Sequence, residues 1–334
     1  MKNLALALVL ALAVFGVGPG WGATRLFAQV VLPPNVPWPA GLPVYDHIVV
    51  VVEENKDYEE IIGSRNAPYI NNVLKKEGAS LTQMFAEEHH SEGNYFFLFS
   101  GSDQKVGYTD VIPQSTFKTM NLGSELIRTG HSFKGYSESL PEIGSMVGRQ
   151  GLYARKHSPW ISFANIPNGK TVADSSNLRF PEDFPSDFNQ LPTVAFVIPN
   201  LRNDMHDGKA AQAIATGDKW LRDHLNAYYQ WAKQHNSLLI LTFDENSEFT
   251  FAGGVTNPGD RDSRKTNRIA TIIAGAHIKA GEYPEDKGVT HVNILRTLEA
   301  MYKLNKSGAQ QWNALRANIG DDYLIKDIFD VRSQ

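Results

Sequence analysis

Two apolar runs stand out along the chain because nothing polar interrupts them. Ile48-Val49-Val50-Val51-Val52 leads into Glu53-Glu54-Asn55, and Leu238-Leu239-Ile240-Leu241-Thr242-Phe243 leads into Asp244-Glu245. Runs without polar alternation predict strands buried on both faces, the habit of a parallel sheet. Further strands are predicted at Leu81 to Ala86, Ser132 to Tyr136, Thr193 to Ile198 and Ile269 to Ala274. Helices are predicted after Ala67-Pro68, proline being suited to a first turn, and over Ser91 to Phe99, Asn121 to Thr129, Asp218 to Lys233 and Val292 to Tyr302. Between about residues 141 and 189 the periodicity fades among Pro, Ser, Asn and Gly. That stretch reads as an irregular insertion over the ligand-binding end of the sheet, or as plain loop. Strands and helices alternating over 45–334, with no linker and no internal repeat, predict one α/β domain with helices on both faces of its sheet.

Composition narrows the classes. With 42% hydrophobic and 10% aromatic residues in 334, the core supply is ample and a disordered chain is excluded. The 32 basic and 36 acidic residues leave a net charge of −4, which carries no signature of a nucleic-acid partner. Lys2 precedes the apolar stretch Leu4 to Phe15, the pattern of a secretory signal, with cleavage after Gly22 or Ala28. An uncleaved anchor is the alternative, although the stretch is shorter than the ~20 apolar residues of a span. A proline-rich lead-in over 29–44 follows, and no later stretch reads as membrane-spanning. The expectation is a secreted or periplasmic protein with no stable span after processing. There is no cysteine, so disulfides, thiolate zinc sites and a lipidated cysteine are all excluded.

The chemistry-bearing residues gather at predicted strand ends, where open α/β sheets hold their ligands. Glu54-Asn55 and Asp244-Glu245 offer carboxylate and amide oxygens from segments far apart in the chain, as one hard-cation site would require. Each pair also has a plain reading, Asn55 as a helix cap and the two acids as solvated charges. Ser91 opens an apolar helix; it is either a cap or a hydroxyl aimed where free N–H groups and the dipole favour a phosphate. His89 and His90 beside it line a site or lie at the surface. Asp204 and His206, two apart beyond a buried strand, point to one side if the chain is extended. They would bind metal or move a proton, unless they form a solvated turn closed by Asp207-Gly208. Arg155-Lys156-His157 is a basic loop, and His291 stands at the start of a helix, where a neutral imidazole on metal or phosphate fits better than a charged one.

Taken in order, these segments resemble the bacterial phosphoesterase family of secreted acid phosphatases and phospholipases C, from about Tyr45 to Leu304. The matching elements are Glu54-Asn55, Ala67-Pro68-Tyr69-Ile70-Asn71 and His90-Ser91-x-x-Asn94-Tyr95 ending in Ser100-Gly101-Ser102. They continue through Lys156-His157, Pro199-Asn200 with Asp204-x-His206-Asp207-Gly208, Asp244-Glu245-Asn246, Asn267-Arg268 and Thr290-His291. The resemblance implies an alkaline-phosphatase-like fold, a three-layer α/β/α sandwich with a mostly parallel central sheet. It assigns Glu54, Asn55, Asp244 and Glu245 as ligands of a divalent ion (Mg, Ca, Mn or Zn) and Ser91 as the nucleophile. It makes His206 and His157 catalytic, and Asp204, His291 and Asn94 contacts to a second metal or to phosphate. Many relatives carry proline where this chain has His90. The implied activity is that of an exported, metal-dependent phosphoric ester hydrolase. The expected form is an acid phosphatase acting on phosphomonoesters, such as phosphoinositide or sugar phosphates, through a phosphoserine intermediate. A phospholipase C type phosphodiesterase and a non-catalytic binder of phosphate ligands are the other readings. The expected partner is a small phosphate ester or a phospholipid head group, with no nucleic acid.

Overall fold

The computed structural model describes residues 41–106, 110, 112–113, 115–247, 266–285 and 287–330. The predicted signal and the lead-in up to residue 40 lie outside the described residues. Eight strands form the main sheet: β1 (His47–Glu53), β2 (Ala79–Leu81), β3 (Phe133–Glu138), β4 (Asn177–Phe180), β5 (Val194–Ile198), β6 (Ser237–Phe243), β7 (Thr271–Gly275) and β8 (Gly281–Tyr283). Their order across the sheet is β8-β2-β7-β6-β1-β5-β3-β4. Only β7 runs against its neighbours, β6 and β2; the other pairings are parallel. This is an α/β fold with a large, mostly parallel central sheet.

The two apolar runs are adjacent strands. β1 pairs with β6 along its whole length, from His47 opposite Ser237 to Glu53 opposite Phe243. Apart from His47, every residue of both is buried, which accounts for the lack of alternation: neither face meets water. Four helices matter for the site. α1 (Ser91–Ser100) is buried throughout and packs on α4 (His291–Met301). α2 (Leu122–Arg128) is capped by Asn121, whose side chain accepts from the Ser124 N–H. α3 (Ala210–Ala232) packs its apolar stripe on β6 and β7, and Tyr228 donates to the Leu238 carbonyl at 2.8 Å. From the same helix, Asp218 accepts the Tyr69 and Ile70 N–H groups at 3.0 and 2.8 Å, fixing the helical turn Ile70–Leu74.

The structure departs from the pattern-based expectation in three places. α3 begins eight residues before Asp218, because its first two turns are polar or small on most faces and lack an apolar stripe. The strand expected over Leu81 to Ala86 divides: Ala79–Leu81 joins the main sheet, and Met84–Phe85 pairs with Val289–Thr290. The irregular stretch 141–189 is more than loop, since it supplies the edge strand β4. It also supplies Trp160, which lies so close over β3 that a Cβ on Gly135 would fall within its ring system. Among the described residues, no helix is long and apolar enough to cross a membrane.

Candidate active site

The register of β1 on β6 brings the two acidic ends together. The Asp244 N–H donates to the Glu53 carbonyl at 3.0 Å, extending the ladder one residue past the strands. The chain after β1 then turns at Asn55, whose φ of 44° lies in the left-handed region that asparagine tolerates. That turn sets the Asn55 N–H 2.9 Å from Asp244 Oδ1 and its Nδ2 3.2 Å from Glu245 Oε1. Asn55 Oδ1 and Asp244 Oδ2 remain buried without a hydrogen-bond partner. From the end of β5, the Asp204 carbonyl accepts the Glu54 N–H at 2.7 Å. The Asp204 carboxylate accepts the His206 N–H through Oδ1 at 2.9 Å and leaves Oδ2 unpartnered.

The start of α1 completes the cluster. His90 adopts φ 74° and ψ 116°, a strained conformation for a residue with a Cβ and one that a proline ring, fixed near −65°, could not reach. Ser91 follows at the first helical position, and its Oγ donates to Glu54 Oε2 at 3.0 Å. One turn on, the Tyr95 hydroxyl donates to Glu54 Oε1 at 2.5 Å, the i and i+4 spacing putting both on one face. The His157 ring stacks on Tyr95 with centroids 5.2 Å apart, and its Nε2 lies 3.4 Å from Glu54 Oε1. His89 Nδ1 stands 2.9 Å from Glu245 Oε2. Lys156, next to His157, holds Asp110 Oδ2 at 2.8 Å.

Burial dominates the electrostatics. It pushes the Glu54 carboxyl well above its ordinary range, and Asp244 and Asp204 nearby push further the same way. Glu245 is raised by burial and then by Asp244, and Asp244 itself is raised by burial. Asp204 is pushed up to about 7 by burial, with Asp244 adding to it. The Lys156 charge favours the ionised forms of Glu54, Asp244 and Glu245. Burial lowers His157 well below its usual value and takes His89 down to about 4, so both imidazoles are neutral near pH 7. Among the described residues, no group of three or more His, Asp or Glu side chains converges tightly enough to enclose a cation unaided.

Glu54, Asn55, Ser91, His157, Asp204, Asp244 and Glu245 thus meet at one place. Three other candidates are engaged differently. Asn94 accepts the Glu87 and Glu88 N–H groups and donates to the Glu88 carbonyl, so its amide is spent on shaping the loop before α1. Both ring nitrogens of His291 are taken, Nδ1 by Glu87 at 2.7 Å and Nε2 by the Phe243 carbonyl at 2.8 Å. Burial disfavours charge on this ring, but Glu87 overrides it and raises the His291 pKa, making the residue a buried strut between α4 and β6. The polar atoms of Asn94 and His291, expected as contacts to a second metal or to phosphate, are thus paired within the protein. His206 is half-exposed, with Nδ1 on Asp207 at 2.9 Å. Tyr95 and Lys156 are the participants that sequence reasoning gave no role, and His89, read as either lining a site or lying at the surface, is buried against Glu245. Tyr95 was findable as the residue four beyond Ser91, but the contacts of His89 and Lys156 depend on long-range packing.

Three comparisons bear on this site. The model of the Phosphoesterase family matches residues 64–305. A phosphatidylinositol-3-phosphatase from Mycobacterium tuberculosis is 44% identical over 300 residues, covering 89% of this chain and 90% of the relative. A probable acid phosphatase from Kluyveromyces lactis is 28% identical over 286 residues, 81% of this chain but only 61% of that longer protein. In structure, the chain is similar to an alkaline phosphatase superfamily protein from Vibrio parahaemolyticus. The TM-score there is 0.52 at 13% identity, covering 87% of this chain and 71% of the other, a likeness of fold alone. With the family model spanning well over half of its residues and a relative this similar along nearly its whole length, the chain belongs to the Phosphoesterase family and is a phosphoric ester hydrolase.

Proposed function

We propose that the protein is an exported, metal-dependent phosphomonoesterase that attacks its substrate through Ser91. The observation that carries this reading is the Ser91 hydroxyl, donating at 3.0 Å to the buried Glu54 carboxylate at the opening of α1. The donor set suits a hard divalent cation: Asn55 Oδ1 and Asp244 Oδ2 are buried and unpartnered, and the Glu54 and Glu245 carboxylates resist ionising without a counter-charge. Glu54, Asn55, Asp244 and Glu245 would hold it. Such an ion, when bound, lowers the serine hydroxyl pKa and offsets charge on the phosphoryl oxygens.

The side chains then divide the work. Glu54 Oε2 is placed to take the Ser91 proton as the oxygen attacks phosphorus, and Tyr95 on Oε1 fixes the carboxylate in that orientation. The positive end of α1, where Ser91 opens the helix, favours the phosphoryl charge that Ser91 would carry. His157, kept neutral by burial, serves as a hydrogen-bond partner within the site. His206, half-exposed and near enough for its charge to act on His157, is the histidine suited to protonate the leaving alcohol. Water then hydrolyses the phosphoserine. The substrate class we propose is a phosphomonoester of the phosphoinositide type, supported by the 44% identical phosphatidylinositol-3-phosphatase. Export rests on the basic and apolar leader from Lys2 to Phe15.

The test is hydrolysis of p-nitrophenyl phosphate and of bis(p-nitrophenyl) phosphate, with and without chelator, by the native protein and by Ser91→Ala. The expected result is turnover of the monoester, abolished by chelator and reduced at least about a thousandfold in Ser91→Ala. Unchanged activity in Ser91→Ala would remove the nucleophile assignment. Preference for the bis-ester would make the protein a diesterase, and phosphate binding without any turnover would make it a binder.

A further inference from the structure

Among the described residues, the Lys156 charge reaches Glu54, Asp244 and Glu245 together, yet the mechanism above leaves it idle. It is held by Asp110, whose Oδ2 lies 2.8 Å from Lys156 Nζ. The other oxygen of the same carboxylate, Oδ1, accepts the Glu92 N–H at 3.3 Å, the residue after Ser91 in the first turn of α1. An anion clasped between an ammonium group and a first-turn N–H beside the serine has the partners that a phosphoryl group seeks. Ile112, two residues on, is anchored independently of that carboxylate. Glu92 Oε2 accepts the Ile112 N–H at 2.9 Å, and Arg155 Nη2 donates to the Ile112 carbonyl at 2.9 Å. Rotation of the Asp110 side chain alone would then free Lys156 and the Glu92 N–H. The pair is partly exposed, with side chains 25% and 30% accessible, so solvent reaches it and another anion can compete for the ammonium group.

We propose that Asp110 is an internal stand-in for the substrate's phosphoryl group: it occupies Lys156 and the Glu92 N–H until a phosphate ester displaces it, and so sets substrate affinity. This rests on the phosphomonoesterase reading. Lys156 becomes the binding cation for a phosphomonoester dianion, and Asp110 the competitor that a more weakly charged ligand displaces less well.

The experiment titrates inorganic phosphate into the full chain by calorimetry and measures KM and kcat on p-nitrophenyl phosphate. The variants are Asp110→Asn, the shorter Asp110→Ser, and Lys156→Met. Loss of the competing charge should tighten phosphate binding about three- to tenfold in both Asp110 variants and lower KM in proportion, whereas Lys156→Met should weaken both at least about tenfold. A residue that merely props the loop would move the melting temperature but would not tighten phosphate binding. Binding equal to or weaker than native in both Asp110 variants, or unchanged in Lys156→Met, overturns the proposal. The titration needs no turnover, so it reports on the exchange even if the Ser91 assay finds no ester hydrolysed. A hydrolase whose Asp110 variants bind phosphate no tighter would lose this inference alone.

Discussion

Glu54 is the residue on which the site converges, and Tyr95 is its least replaceable support. Ser91, Tyr95 and His157 all address its two oxygens, so the orientation of one carboxylate governs where the serine proton can go. In Tyr95→Phe the ring still stacks on His157 and fills its space, while Glu54 Oε1 loses its 2.5 Å partner. An unsatisfied buried acceptor costs about 1–3 kcal/mol. If that support acts in the transition state, kcat/KM should fall about ten- to a hundredfold, while the melting temperature drops by only a few degrees. Native kinetics in a well-folded Tyr95→Phe would show that Glu54 is held by other means. This contact was half legible. Ser91 and Tyr95 share a helix face by spacing alone, but the acceptor facing them, Glu54, follows β1, 37 and 41 positions earlier.

Among the elements, β1 and β6 announce themselves because both are buried on both faces, which writes an unbroken apolar run into the chain. β4 is silent for the complementary reason. It is a four-residue edge strand, Asn177–Phe180, paired on one side only, and its apolar signal is limited to Leu178 and Phe180. It matters nonetheless, because the stretch it ends delivers Trp160 onto β3 and His157 onto Tyr95. Gly135, in the middle of β3, is required by that close approach. Gly135→Ala should destabilise the fold by about 1–3 kcal/mol through overpacking against Trp160, read as a lower urea midpoint at unchanged slope. If the midpoint stays put, Trp160 has room to shift and the layer is looser than its geometry implies. Activity should fall with it, since His157 is only three residues from Trp160.

The assembled domain concentrates buried acids that share little counter-charge. In the metal-free protein, Asp204 has its folded pKa near 7 against an ordinary value of 3.8, and Glu54 and Glu245 are raised as well. Between those values the folded state binds protons that the unfolded chain has released, so stability falls as pH rises. The chelator-treated protein should therefore melt higher at pH 5 than at pH 7.5, Asp204 alone contributing on the order of 1.4 kcal/mol per pH unit. A divalent cation at about a hundredfold its Kd should restore roughly 2.7 kcal/mol at pH 7.5. Asp244→Asn should flatten the pH trend and lose the cation response. A native protein indifferent to added cation would defeat the ligand assignment of Asp244.

The apolar runs, the helix starts and the kinds of donor at strand ends are local properties, and they alone specified an α/β chain with acidic residues at the ends of two buried strands and a serine opening an apolar helix. Hydrophobic period and residue type need only a short window to be read. Which donors meet, and which are diverted, depends on register and packing between segments far apart in the chain. The pairing of Glu53 with Phe243 set Asp244 beside Asn55, and the packing of α4 on α1 delivered His291 to Glu87 and the Phe243 carbonyl. Long-range contacts of this kind are selected by the joint burial of many side chains, so no short stretch of sequence encodes them.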